Sequence, residues 1–150
     1  GIPGKNAMAI ADALEQRADS FGANVDADAT FVGIRGLAFH AEDSLRDFYQ
    51  LVVTPTFPAG EVDRQRKLTL ARLSRLVDRP DAFTSVVYQR YLYGSHPYAH
   101  DGTGTPSGVA QIKRGDIVAF HSQFYSPDRA TLAVVGQFDD SYKQQVVKLF

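Results

Sequence analysis

An α+β fold, with helices packed on a small, mainly antiparallel β-sheet, is predicted by three features of the sequence. Apolar residues recur at helical spacing through most of the chain. One segment alternates like a β-hairpin, and one short run near the end is apolar almost without a break.

The elements follow in order. Ala7, Ile10, Ala11, Leu14, Ala18 and Phe21 share one helical face, so the first helix is expected to run toward Gly22 as its stop. Residues 23–39, ANVDADATFVGIRGLAF, predict two short strands turning near Asp26–Asp28, the second carrying Phe31, Val32, Ile34 and Leu37. Leu45, Phe48, Tyr49, Val52 and Val53 predict a second helix, closed before Pro55 because the residue preceding a proline is pushed out of helical geometry. Residues 58–78 predict a third helix with Val62, Leu70, Leu73 and Val77 inward, and Phe83, Val86, Val87 and Tyr91 outline a fourth. Thr105 before Pro106 is an N-cap followed by a first-turn proline, opening a short helix to about Ile112. Ile117, Phe120 and Phe124 mark the next helix; its start at Gly115 and Asp116 explains the RGD triplet more simply than adhesion does. Ala130–Gly136, ATLAVVG, predicts a strand buried on both faces. A final helix is expected to be capped by Asp140 or Ser141 and to carry Tyr142, Val146 and Leu149. A strand as apolar as ATLAVVG needs neighbours on both edges, and the hairpin alone cannot supply them. Residues 1–150 are therefore expected to be a single partial domain, an incomplete piece of a larger one.

Composition excludes several function classes. The chain is 44% hydrophobic and 22% charged with a net charge of -1, which suits a folded domain and lacks the cationic excess of a nucleic-acid module. Without cysteine there is no thiol nucleophile, Cys-zinc site or disulfide. No run is long and apolar enough to span a bilayer, and the opening GIPGKNAMAI does not have the pattern of a secretory signal.

His96, His100 and Asp101 crowd the stretch GSHPYAHDGTGTP. Two histidines four apart can share a zinc on a helix, but Pro97 lies between them and turn formers follow. A connector is expected, with a ligand or substrate role as the alternative. GTGTPSG lacks the lysine of a phosphate loop and follows no strand, so nucleotide binding is not expected.

The order of several local signatures resembles the insulinase/pitrilysin-type zinc metallopeptidases, the inverted H-x-x-E-H family. They are ALEQRADSFGANVDADAT, TPTF followed by EVDRQRKLTLARL, HPYAHDGTGTPSGVAQI, and FHSQFYSPDRATLAVVGQFD, which together span nearly the whole chain. The resemblance implies a zinc held by two histidines of H-x-x-E-H and by a glutamate on a later helix, with the motif glutamate as general base. No H-x-x-E-H occurs here: His40, His96, His100 and His121 all lack that context. Aligned with the family's glutamate-bearing helix, Gln65 and Arg72 take its two characteristic glutamate positions, the later being the zinc ligand. A guanidinium stays charged and offers no lone pair to a cation.

The resemblance therefore implies the non-catalytic half or inactive subunit of such a peptidase. No catalytic or metal-binding residue is expected in this segment. Zinc is expected in the catalytic partner half, and the partners implied are that half or subunit and a peptide or protein substrate, with no nucleic acid. Bare sheet edges add possible self-association. The alternatives are a structural assembly subunit without proteolytic role and a catalytic half with an atypical zinc site. A periplasmic location is expected for so compact, cysteine-free a chain, with the cytoplasm as the alternative.

Overall fold

Asn6 sets the start of the first helix in the computed structural model, which describes residues 1–150 apart from the side chain of Val77, whose expected inward position lies outside the described residues. The Asn6 carboxamide oxygen accepts the Ala9 amide at 2.9 Å, and α1 runs Ala7–Gln16. The helix does not continue through Ala18 to Gly22 as the spacing predicts. Instead the Asp19 amide returns to the Leu14 carbonyl (2.8 Å) and the Ala18 amide to Glu15 (3.0 Å), with Ala18 at φ 54°. This closure is ordinarily made by glycine. Here an alanine makes it, and Phe21 and Gly22 pass into a strand.

That strand, β1 (Ser20–Val25), begins three residues earlier than predicted and pairs with β2 (Thr30–Arg35) in a two-stranded sheet. Asp26 builds the turn, its Oδ1 accepting the amides of Asp28 (2.9 Å) and Ala29 (2.8 Å). Beyond Gly36 the chain leaves the sheet, so Leu37 is not in the strand and Ala38–His40 forms a 3₁₀ turn. Then come α2 (Ala41–Val53), α3 (Ala59–Ser74), a 3₁₀ turn at Leu76–Asp78, α4 (Pro80–Tyr93), α5 (Pro106–Gln111), α6 (Arg114–Phe124) and α7 (Asp140–Leu149). Thr105 caps α5 as expected, its hydroxyl accepting the Gly108 amide at 3.1 Å. The cap of α7 is Asp139, one residue before the predicted pair, since its carboxylate reaches the Tyr142 amide at 2.9 Å.

The chain forms two compact units. The first comprises Gly1–Asn24, Phe31–Phe57 and Val118–Phe150. Its core is Ile2, Ile10, Leu45 and Phe48, and the Phe150 ring packs on Phe48 and edge-on against Tyr49. His121 stacks on Tyr125 and hydrogen-bonds the Val52 carbonyl at 2.8 Å. The second unit comprises Val25–Thr30 and Pro58–Ile117. There α3 packs on α5, burying Leu73 and Val109. Leu70 and Val62 are half-buried as expected, whereas Phe83, Val87 and Tyr91 of α4 are exposed.

One expected strand is absent. Ala130–Gly136 has no ladder partner, and instead of being buried on both faces it is largely exposed, with Val135 95% accessible. Ala130 is extended (φ -119°, ψ 146°) but enters no ladder. The cause is the one the apolar run itself raised: a strand is stabilised by its neighbours, and the hairpin is the only sheet among the described residues. The architecture is α+β, with seven α-helices and a two-stranded sheet among the described residues.

Candidate functional site

Helix α3 carries the two positions that the sequence resemblance singles out. Gln65 and Arg72 are both exposed, seven residues apart and hence about two turns apart on one face. The helix is long because it lacks interior glycine or proline after Gly60 and is laced at its start by i,i+3 ion pairs: Arg64 to Glu61 at 2.7 Å and Arg66 to Asp63 at 2.6 Å. Arg66 also donates to the Ile112 carbonyl at 2.8 Å, tying α3 to the end of α5. No carboxylate forms an ion pair with Arg72 among the described residues.

The His96–Asp101 stretch is tied to itself. Pro97–Ala99 is a 3₁₀ turn; His96 Nδ1 accepts the Tyr98 amide at 3.2 Å, and His100 Nδ1 lies 3.2 Å from the Pro97 carbonyl. Asp101 Oδ1 accepts the Thr103 amide at 2.8 Å. Tyr93, His96 and Tyr98 meet ring to ring, Gln89 donates to the Tyr98 carbonyl at 2.7 Å, and the Tyr98 hydroxyl donates to Asp28 at 2.6 Å. The hydrogen bond to Asp28, followed by that residue's charge, holds the Tyr98 phenol above its usual pKa. The stretch thus fastens the hairpin tip to the end of α4.

Sequence reasoning missed a polar cluster in the first unit. Asp47, on the inner side of α2, accepts from Lys5 Nζ and Arg17 Nη2, each at 2.8 Å. Arg17 Nε reaches Asp19 at 2.8 Å, and the Ser44 hydroxyl lies 2.7 Å from the same carboxylate oxygen. The Asp47 and Asp19 side chains are 5% and 0% exposed. Burial alone would raise the Asp47 carboxyl, but the hydrogen bonds and charges of Lys5 and Arg17 outweigh it and hold it below the usual carboxylate range. Gly36 is required here, because a Cβ at that position would collide with Asp19 Oδ1. The available signal was a carboxylate set among Ser44, Leu45 and Phe48 on a core-facing helix.

A zinc does not fit this set of donors. Among the described residues no three His, Cys, Asp or Glu side chains gather, and the exposed pair on α3 is an amide and a guanidinium. The residues support packing and ion pairing.

The family model of the Peptidase M16 inactive domain matches residues 111–150. A crystal structure of a peptidase M16 inactive domain from Pseudomonas fluorescens superposes with a TM-score of 0.78 at 31% identity, covering 81% of this chain and 30% of that one. The insulinase-type resemblance is borne out. The fold is shared further with a protease from Helicobacter pylori, at a TM-score of 0.86 and 21% identity over 99% of this chain and 35% of that one. In sequence, an uncharacterized zinc protease, YmxG, of Bacillus subtilis is 23% identical over 150 residues, all of this chain and 37% of the relative. The chain spans about a third of the length of the curated relatives it matches.

Proposed function

We propose that the chain forms part of the non-catalytic half of a zinc metalloendopeptidase, helping to enclose peptide substrate and pairing with a catalytic half that carries the zinc. The carrying observation is the likeness to M16 inactive domains in both sequence and fold. In this reading Gln65 and Arg72 stand where the catalytic half has its two glutamates. Arg72 supplies positive charge where a ligand would supply negative, so the half contributes walls and contacts but no metal and no base. The two compact units belong to one partial domain, and exposed strand edges leave room for association with further copies.

The test combines the purified chain with a chain bearing H-x-x-E-H from the same source, reading peptide hydrolysis and metal content. Alone, the chain is expected to cleave nothing and to hold no stoichiometric zinc; with its partner, hydrolysis should rise. Arg72→Glu should remain inert alone, because a single carboxylate cannot replace the missing histidines and base. Tight zinc in the isolated chain, lost together with hydrolysis on changing Arg72, would overturn the proposal.

A further inference from the structure

The strongest unassigned feature is the charge on α3. Between Glu61 and Arg79 the sequence has six cations (Arg64, Arg66, Lys67, Arg72, Arg75, Arg79) against three carboxylates, in a chain whose net charge is -1. Two cations at the start of α3 are used internally, Arg64 pairing with Glu61 and Arg66 with Asp63, while the exposed Lys67 falls on another side of the helix from Gln65 and Arg72. Beyond the helix, Arg79 lies 3.5 Å from Asp81. Arg72 and Arg75 are exposed, and among the described residues neither has an ion-pair partner. They stand three apart, on the side of α3 that also carries Gln65 and Leu68, the latter 49% accessible. A C-terminal helix dipole favours a cation in the last turn, which accounts for the tolerance of these charges but leaves two guanidinium forks without an acceptor.

We infer that this outer stripe of α3 and its C-cap, Gln65, Leu68, Arg72 and Arg75, docks an acidic stretch of peptide. Charge complementarity selects the occupant. Each guanidinium can take a carboxylate in a two-pronged hydrogen bond, and Leu68 offers an apolar contact about a turn from Arg72. A nucleic acid is the poorer match, because phosphate binding draws its affinity from many cations at once and this stripe has two open ones. The inference goes beyond the proposed function and does not depend on cleavage.

The experiment is fluorescence anisotropy of the whole chain with a labelled short peptide in which glutamates flank a leucine, at low salt, with a single-stranded oligonucleotide of equal charge as the comparison. Saturable binding of the peptide is expected, weakened about tenfold by Arg72→Glu with Arg75→Glu, since two exposed pairs become two repulsions. Glutamine at both positions keeps helix propensity and should give an intermediate loss, so the comparison survives if charge reversal unsettles the helix. Arg46→Glu, at a residue paired with Asp43 on α2, should change nothing. Undiminished binding by the doubly reversed variant, oligonucleotide bound as tightly as peptide, or no saturable binding at low salt would each overturn the inference.

Discussion

Replacing the buried Asp47 by alanine should destabilise the first unit more than any single change of an exposed or half-exposed charge. Asp47 is 5% exposed and holds two cations at 2.8 Å: Lys5, whose side chain is 39% exposed, and Arg17, at 13%. Removing one member of a buried pair costs about 3–5 kcal/mol when the remaining charge is stranded. Lys5 can turn to water, and Arg17 keeps Asp19, so the lower end, about 3 kcal/mol, is expected. At this chain length that is a fall of about 9 °C in melting temperature. Lys5→Met, which removes the exposed partner, should cost under about 1 kcal/mol. Urea unfolding followed by circular dichroism measures both. The pH dependence gives a second reading. Asp47 lies below its unfolded value of about 3.9, so its stabilisation is present above that pH and is lost as pH falls through the lower folded value. The gap between wild type and Asp47→Ala should therefore close on acidification below about pH 4. An Asp47→Ala variant no less stable than Lys5→Met, or a gap constant with pH, would show that the cluster is not coupled as described.

Gly36→Ala should cost about 1–3 kcal/mol by overpacking against the Asp19 carboxylate, and the same change should cost less when made in an Asp19→Ala background, both read by thermal melting. Thr105→Ala removes the cap of α5 and should lower stability by about 1 kcal/mol in urea titration. Tyr98→Phe should speed amide exchange at Asp28 and Ala29, and Asp28→Asn should bring the Tyr98 phenol titration down toward its ordinary value, followed by ultraviolet absorbance.

Helices were legible where the signal was local. The Thr105 and Pro106 start, the stop before Pro55 and the span of the final helix depend on a few neighbouring residues, and all formed within one residue of expectation. What failed was non-local. Ala18 closes α1 in a glycine's conformation because Asp19 is drawn to Arg17 and Ser44, the latter 25 residues away. Ala130–Gly136 has the composition of a central strand, but composition does not provide neighbours. The positions of Gln65 and Arg72 on one exposed face followed from helical periodicity alone. Asp47 acquires its role only when the fold brings Lys5 and Arg17 to it.

The first unit is assembled from three separated pieces, and this has a consequence for how the chain is made. Its core face on α2 is closed by Phe150, and the Tyr142 hydroxyl and Gln145 reach Ala41 and Glu42 across roughly a hundred residues. Residues 58–117 must be synthesised between the two sides of that contact. At about 5–20 residues per second, α2 leaves the ribosome with its apolar side bare for several seconds before α7 exists to cover it. The residues of the second unit, nearly continuous in sequence, can meanwhile fold on their own local contacts. Vectorial synthesis thus sets the order, second unit first, and makes the interval before Phe150 emerges the period in which a chaperone has most to hold.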